Sequence, residues 1–479
     1  MKLYSSHTSW SKSSLEDIAI HIIGGDWGKD PEFSEEGYES VLCIRGSEFK
    51  KWKENFGNTA VIRKVKASSL TSRELIKNDI LVEISGGGPD QPVGRTVLID
   101  DRVLYNQALP LVCTNFLRLV RLSSEVSASF INRYLEFFYS SGEVTKYQGG
   151  SNNLRNLKFK DYSKIEIPLP SLAEQKIIAE KLDTLLAQVD STKARLEQIP
   201  KILKRFRQAV LGAAMNGTLM EIHENRPHPL CDQWQWPGIP STWSVLTYSE
   251  LVDSRLGKML DKVKNTGVPI KYLGNVNVRW FSFNLKNLQE ILISESELKE
   301  LNLKKNDVLI CEGGEPGRCA IWAEGEGDGI IFQKALHRAR VSEKITPEWL
   351  VLNLKNDSNN LTLSQLFTGT TIKHLTGKSL AKYPLRVPPV DEQHEIVRRV
   401  EQLFAYADTI EKQVNNALAR VNILTQSILA KAFRGELTAK WRAENPELIS
   451  GENSAAALLE KIKAERAAST GKKATRKKS

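Results

Sequence analysis

The chain contains an internal duplication that includes a long amphipathic segment. Residues 170–178 read PSLAEQKII and residues 388–396 read PPVDEQHEI, at an offset of 218 positions. With that offset held fixed, matching residues recur without a gap as far as Leu219 and Leu437. A duplication of this length predicts two similar halves rather than a solenoid of many small units.

Apolar residues inside each copy are spaced by alternating fours and threes. The pattern covers 178–210 in the first copy and 396–428 in the second, and only Thr192 interrupts it with a polar residue. A pattern of apolar a and d positions over more than four heptads is typical of helices that pack along their length. The two copies therefore predict two long helices, over 171–215 and 389–433.

The residues that flank each pattern support helix boundaries at the same places. Ser171 followed by Glu174 predicts a capping box at the first helix start. Gly217 and Gly435 supply the glycine expected just after each helix end. Pro200 lies inside the first helix, where proline predicts a kink or a split, and Leu418 occupies the matching position of the second.

Two long apolar seams in one chain can be buried in two ways. Each helix could pack only on its own neighbouring domain, or the two helices could pack on each other as an intramolecular coiled coil. An antiparallel coiled coil is the favoured interpretation, because a globular segment precedes each helix.

The segments that precede the helices are also related. Residues 78–95 read NDILVEISGGGPDQPVGR and residues 306–318 read NDVLICEGGEPGR. Trp10 and Trp243 lie near the start of the two halves. Short apolar runs bounded by turn residues, such as 40–45 and 79–84, predict strands. Together with a helical pattern over 128–140 they predict α+β domains with sheet and helices in separate regions.

The composition limits the class of protein. No run of apolar residues is long enough to span a membrane, and the N-terminal residues have no signal-peptide core, so a cytoplasmic protein is expected. The five cysteines lack C-x-x-C spacing, which argues against a zinc site or a disulfide framework. Most of the net charge of +10 comes from 461–479, with eight basic residues and one acidic residue. Residues 469–479 are predicted to be a disordered basic tail.

Sequence motifs of catalysis are missing. The glycine loop at 86–96 has Arg95 where a phosphate-binding loop needs lysine, and the TGKS at 376–379 lacks its upstream glycine. No H-E-x-x-H set and no Asn-Pro-Pro-Tyr or Asp-Pro-Pro-Tyr motif of amino-methyltransferases occurs. The sequence predicts a binding protein with no catalytic residue and no metal site.

Basic and aromatic side chains alternate in the two variable segments, which is consistent with nucleic-acid binding or with an ordinary solvated face. The candidates for DNA contact are Trp27, Lys29, Arg45, Arg95, Lys271, Arg279, Trp280 and Arg318. Arg95 and Arg318 follow glycine turns in both halves. They are predicted either to approach DNA through those turns or to hold their own loops in place.

The combination of motifs resembles the specificity subunit of type I restriction-modification enzymes. The matching residues are PSLAEQ (170–175), PVDEQ (389–393), AAMNGTL (213–219), KAFRGELT (431–438) and AAALLEKIKAERAA (455–468). The first copy departs from the family in having NGTL in place of Arg-Gly-Glu-Leu.

The resemblance implies a division of the chain into six parts. These are target recognition domain 1 (1–167), a conserved spacer helix (171–220), target recognition domain 2 (221–386), a second spacer helix (389–440), a conserved C-terminal segment (441–468) and the basic tail (469–479). The implied architecture is two globular domains separated by an antiparallel pair of helices, with pseudo-twofold symmetry between the halves.

The resemblance also implies function and partners. Each domain would read one half of a bipartite, asymmetric site in double-stranded DNA, and the chain would direct adenine methylation or DNA cleavage by other subunits. Two methyltransferase subunits and the restriction subunits would be the partners, and S-adenosylmethionine, ATP and Mg²⁺ would be bound by them and not by this chain. Residues implied in subunit docking and in the spacer are Glu174, Gln175, Leu185, Glu392, Gln393 and Leu403.

Two alternatives remain open at the level of sequence. The chain could be a coiled-coil interaction scaffold with two peptide-binding domains and no role on DNA. It could also be the specificity subunit of a methylation-only complex, because a nuclease would be a separate chain. The variable segments follow no residue-to-base code from which the target sequence could be read.

Overall fold

The computed structural model describes residues 7–88, 91–105, 107–150, 155–220, 224–261, 265–323 and 329–475. The chain divides into two compact units, one of residues 1–195 with 417–479 and one of residues 196–416. The first unit is therefore assembled from two separate stretches of sequence, whereas the second is continuous. The division falls inside the two long helices, and the six-part division inferred from the resemblance stays a prediction.

Two sheets form the centre of the first unit. A four-stranded antiparallel sheet has the strand order Ala19–Gly24, Leu117–Leu122, Ile80–Glu83 and Thr96–Leu98. A three-stranded sheet has the order Val61–Lys66, Tyr38–Ile44 and Leu111–Cys113, of which the last two strands are parallel. Two smaller sheets consist of Ser11–Ser14 with Glu166–Leu169, and of Gln148–Gly149, Arg155–Leu157 and Ser85–Gly87.

The main helix of the first unit before the long helix is Ala128–Ser140, as the apolar pattern predicts. Its buried face includes Phe130, Ile131 and Tyr134 and packs in the core of the unit. The shorter helices, α and 3₁₀, are Leu15–Ile18, Gly46–Lys51, Trp52–Asn55, Ala67–Arg73, Asp101–Leu104, Glu143–Tyr147 and Phe159–Tyr162.

The second unit repeats the two central sheets of the first. Its four-stranded sheet has the order Val252–Leu256, Leu336–Val341, Val308–Cys311 and Cys319–Ile321. Its three-stranded sheet has the order Gln289–Ile293, Val268–Leu273 and Ile330–Phe332, and the last two strands are again parallel. The remaining pairs are Ser244–Thr247 with Pro384–Val387, Asn225–Arg226 with Ile239–Pro240, and Val278–Arg279 with Ser282–Phe283.

The helix Pro347–Asn359 occupies the position of Ala128–Ser140 in the second unit, and both begin at a hydroxyl cap. The shorter helices of this unit are Cys231–Trp234, Tyr248–Leu251, Glu295–Leu301, Thr362–Leu366 and Gly377–Leu380. The mixture of sheets and helices in both units confirms the α+β prediction.

The recurring Asn-Asp pair is a turn that positions a buried carboxylate. Asn78 and Asn306 have φ of 73° and 75°, a left-handed conformation that asparagine tolerates better than most residues. The following aspartate, Asp79, accepts hydrogen bonds from Arg121 at 2.8 Å and from the backbone of Ile76 at 2.8 Å. In the second unit Asp307 accepts from Arg340 and from the backbone of Lys304 in the same way. The same buried carboxylate therefore stands before the matching strand of both units.

The two long helices are Leu172–Met215 and Val390–Phe433, each of 44 residues. In the first unit, Leu182 near the start of one helix and Phe433 at the end of the other belong to one core. In the second unit, Arg207 donates to Asp408 at 2.6 Å and to Glu411 at 2.9 Å. Each unit thus pairs the start of one helix with the end of the other, which confirms an antiparallel coiled coil and makes packing on the neighbouring domain alone wrong.

The polar interruption of the seam stays in solvent. Thr192 is exposed, and its hydroxyl donates to the carbonyl of Gln188 at 2.9 Å, one turn earlier in the helix. Leu424, a predicted seam residue of the second copy, is also exposed. The heptad pattern therefore marks the buried face correctly at most positions but not at these two.

The predicted split at Pro200 does not occur. The helix continues through Pro200, whose ring lies on an exposed face. An exposed face leaves room for the ring and lets water hydrate the carbonyl that loses its amide partner, so the apolar contacts on the opposite face can keep the helix whole.

Pro200→Ala should raise the free energy of unfolding by about 1–2 kcal/mol, because alanine restores an amide donor to the helix and has a higher helix propensity than proline. Urea denaturation measures the change. Leu418→Ala at the duplicated position is the control, since it restores no hydrogen bond and should not stabilise the protein. A loss of stability in Pro200→Ala would contradict this account.

The C-terminal residues complete the first unit. Helices Ala439–Glu444 and Ala455–Thr475 follow the second long helix, with short 3₁₀ turns at Pro446–Leu448 and Gly451–Asn453. Leu458 and Ile462 are buried in the core of this unit. The helix extends to Thr475, within the tail that was predicted to be disordered from residue 469; that disorder stays a prediction, and residues 476–479 lie outside the described part of the chain.

Candidate nucleic-acid interface

A groove of about 740 Å³ opens on the surface of the first unit. Three of the predicted DNA-contact residues, Trp27, Arg45 and Arg95, line it, whereas Lys29 does not. The other lining residues are Gly46, Ser47, Lys50, Glu83, Ser85, Gly86, Gln91, Thr114, Asn115 and Phe116. The fold thus brings together residues from four separate segments of the sequence.

The two arginines of the groove are held by carboxylates of the same unit. Arg95 donates from Nε to Glu83 at 2.8 Å and from a terminal nitrogen to the carbonyl of Gly46 at 3.0 Å. The hydrogen bond to Glu83 raises the pKa of Arg95. Arg45 donates from Nε to Glu48 at 2.9 Å. These contacts support the loop-holding alternative for Arg95, and the base contact proposed for it has to compete with an intact ion pair.

Trp27 lines the groove, and its ring packs against an arginine of the same unit. The guanidinium of Arg63 lies 4.3 Å from the centre of the Trp27 ring, and its Nε donates to the Trp27 carbonyl at 3.1 Å. Asp30 pairs with the same guanidinium. The indole is therefore an exposed but fixed aromatic surface. Lys29 next to it is exposed and lies 5.7 Å from the centre of the Phe33 ring.

In the second unit the predicted residues are spread over neighbouring strands and turns. Arg318 donates to Glu315 at 2.9 Å and to the carbonyl of Asn275 at 2.8 Å, so it holds a loop as Arg95 does. The indole nitrogen of Trp280 donates to the same Glu315 at 2.7 Å. Arg279 is exposed and donates to the carbonyl of Val276 at 2.7 Å. Lys271 is exposed on the strand Val268–Leu273.

The Glu-Gln pairs join each long helix to its own domain. Ser171 accepts from the backbone of Glu174 at 3.3 Å, which is half of the predicted capping box. The Glu174 carboxylate completes no box. It accepts from the indole of Trp10 at 3.0 Å, and Gln175 accepts from the backbone of Ser127 at 2.9 Å.

The second unit contains the same joint. Glu392 accepts from the indole of Trp243 at 2.9 Å, and Gln393 accepts from the backbone of Thr346 at 2.9 Å. This repetition explains why a tryptophan stands near the start of both halves. The glutamine side chain ties the cap of the domain helix to the start of the long helix.

A role in docking a partner subunit requires side chains that are exposed on the surface. Glu174, Gln175 and Gln393 are at most 1% exposed and face the interior of their own unit. Their side chains have no surface to offer a partner subunit, so their place in the structure is a joint within the chain. Leu185 and Leu403 are half-buried on the long helices, where the spacer role remains a prediction.

Two polar side chains of the first groove, Gln91 and Asn115, were missed by the sequence reasoning. The side chains of Lys50, Gln91 and Asn115 are exposed. They make no hydrogen bond with any of the described residues. They stand beside arginines that are already paired. The sequence carried no motif for the two amides, because an isolated amide acquires meaning only when the fold places it in a groove.

Among the described residues no group of three or more His, Cys, Asp or Glu is arranged to hold a metal ion. Within the same residues, every helix is too short or too polar to cross a bilayer.

Comparisons with known proteins agree on one family. The model of the type I restriction modification DNA specificity domain matches residues 8–201 and 240–420. The specificity subunit of the type I restriction enzyme EcoKI from Escherichia coli K12 is 40% identical over 477 residues, covering 98% of both chains. The EcoBI specificity subunit from Escherichia coli is 41% identical and covers 99% of this chain and 96% of its own.

A solved structure shares the fold. The HsdS subunit from Thermoanaerobacter tengcongensis matches with a TM-score of 0.56 over 90% of this chain and 98% of its own, at 18% identity. The likeness at this identity concerns the architecture, and it agrees with two α+β domains and a long helix pair.

Proposed function

We propose that this chain, which belongs to the type I restriction modification DNA specificity family, is the subunit that recognises the DNA sequence in a type I restriction-modification complex. The proposal rests on the observation that the same structural framework occurs in both units. Both units contain the same two central sheets and the same Trp–Glu joint, while the exposed side chains on the frame differ. Two domains with the same framework and different exposed side chains fit a bipartite and asymmetric target.

The grooved surface suits double-stranded DNA. Lys50 in the groove and Lys29 outside it can neutralise phosphates, and exposed amides such as Gln91 can pair with base edges. Trp27 offers an aromatic surface held by Arg63. The long helices would fix how many unread base pairs separate the two half-sites, much as the spacing between two domains sets half-site separation in dimeric DNA-binding proteins.

Catalysis belongs to other chains in this proposal. Two methyltransferase subunits would bind S-adenosylmethionine and modify adenine, and restriction subunits would use ATP and Mg²⁺ to cleave unmodified DNA. A chromosomal target places the complex in the cytoplasm of a prokaryotic cell, where it would serve defence against foreign DNA.

A genome-wide map of adenine methylation tests the proposal. We expect one bipartite motif, with two specific parts separated by unread bases, to lose its methylation when the gene for this chain is deleted and to regain it on complementation. The purified complex should bind duplex DNA of that motif with an affinity that falls steeply as salt rises, because phosphate contacts release counterions. An unchanged methylome together with no salt-dependent DNA binding would favour an interaction scaffold and overturn the proposal.

A further inference from the structure

A tight turn occupies the same place in both units. In the first unit the turn is 114–117, where the backbone of Leu117 donates to Thr114 at 3.0 Å and Ile84 donates to Phe116 at 2.9 Å. In the second unit the turn is 333–336, with the corresponding bonds from Leu336 to Gln333 and from Glu312 to Ala335, both at 2.9 Å. Each turn connects the parallel strand of one sheet to the central strand of the other.

The residues at the tip of the two turns differ. The first turn presents Asn115 and Phe116, and the second presents Lys334 and Ala335. Asn115 and Lys334 are exposed, and Phe116 is 54% exposed. About half of the Phe116 surface stays in contact with water, so a contact outside the chain could bury further apolar area.

Close packing of the backbone fixes both turns. A Cβ added to Gly25 would lie 2.1 Å from the carbonyl oxygen of Thr114, and one added to Gly257 would lie 2.1 Å from that of Phe332. The backbones of Gly25 and Gly257 donate to the carbonyls of Leu117 and Leu336 at the far side of the turns. The tip side chains are therefore presented from an ordered backbone, which reduces the entropy lost when they bind.

Asn115 and Phe116 face the groove of the first unit together with Lys50 and Trp27. The arginines of that groove are committed to Glu83 and Glu48. Asn115 thus offers an uncommitted amide beside a lysine that can hold a phosphate. Lys334 presents an ammonium at the matching position of the second unit, where its backbone donates to Lys258 at 2.8 Å.

We propose that these two turns are base-reading fingers, with Asn115 selecting an adenine in one half-site and Lys334 selecting a guanine in the other. The inference rests on the proposed function. A side-chain amide matches the N7 acceptor and N6 donor of adenine, whereas an ammonium matches the O6 and N7 acceptors of guanine. Phe116 beside the amide suits the methyl group of a neighbouring thymine. The equivalent position of the fingers explains how one frame reads two different half-sites.

Exchange of the two finger residues tests the proposal. Complexes with Asn115→Lys or Lys334→Asn are expressed in a host that lacks the wild-type chain, and the methylated motif is mapped for each. Asn115→Lys should change one adenine of one half-site to guanine and leave the other half-site intact, and Lys334→Asn should make the reverse change in the other half-site. Asn115→Ala and Lys334→Ala should each relax the same single position by roughly 10–100-fold in relative methylation rate.

Lys50→Ala is the matched control, because loss of a phosphate contact should weaken methylation at all sites without altering the motif. An unchanged motif in both alanine variants would overturn the finger assignment, even if the exchange variants proved inactive. A wild-type complex without any bipartite motif would instead overturn the proposed function, so the two failures are distinguishable.

Discussion

Replacing Glu174 with alanine should lower the free energy of unfolding of the first unit by about 3–5 kcal/mol. The carboxylate is 1% exposed and receives hydrogen bonds from Trp10 at 3.0 Å, from the Thr438 hydroxyl at 2.6 Å and from the guanidinium of Arg442. Alanine would leave a buried cation without its counter-ion, which costs more than the loss of one ordinary hydrogen bond. Urea denaturation followed by tryptophan fluorescence measures the difference.

Glu392→Ala at the duplicated position is the matched control. Glu392 is half-buried and receives the indole hydrogen bond of Trp243 at 2.9 Å, so we expect a smaller cost of about 1–2 kcal/mol. Adding Arg442→Met to Glu174→Ala should recover part of the loss, because the uncompensated charge is then removed. Equal costs for the two glutamates would show that the buried guanidinium is unimportant.

A second large effect is expected at the buried ion pair of the second unit. Arg386 is 1% exposed and donates to Asp357 at 3.4 Å, while Asp357 also accepts from the hydroxyl of Tyr383 at 2.8 Å. Burial raises the pKa of Asp357. Arg386→Met should therefore cost about 3–5 kcal/mol in the free energy of unfolding of this unit, because a carboxylate would stay buried without its cation.

The first unit suggests how to repair that variant. Phe138 and Pro168 occupy the positions that correspond to Asp357 and Arg386 in the helix and strand of the other half. The frame therefore tolerates uncharged residues there. The double variant Asp357→Leu with Arg386→Met should lie within about 1–2 kcal/mol of the unsubstituted protein in the same denaturation experiment. A double variant as unstable as Arg386→Met alone would contradict the account.

The long helices were predictable to within one residue. Heptad spacing, caps and glycine stops are local signals. The predicted bounds of 171–215 and 389–433 therefore agree closely with the observed helices Leu172–Met215 and Val390–Phe433. Pairing of the strands was beyond the sequence. Leu117–Leu122 lies between Ala19–Gly24 and Ile80–Glu83, and no local pattern states which distant segment becomes a neighbour.

The candidate site was predictable in composition but not in chemistry. The sequence identified Trp27, Arg45 and Arg95 as a basic and aromatic set, and the fold places all three on one groove. It did not reveal that Glu48 and Glu83 form ion pairs with these two arginines, because only the tertiary structure determines the partners. Asn115 and Lys334 became comparable only when their turns were matched through strand pairing and backbone hydrogen bonds.

The discontinuous composition of the first unit has a consequence for synthesis on the ribosome. All of residues 196–416 emerge before residue 417, so the second unit has its full sequence while the first still lacks residues 417–479. The N-terminal domain of a nascent chain usually folds first. Here the second unit can complete its fold before the first. A product whose translation stops after residue 434 would hold Glu174 without Arg442, leaving an incomplete core that cellular proteases can recognise.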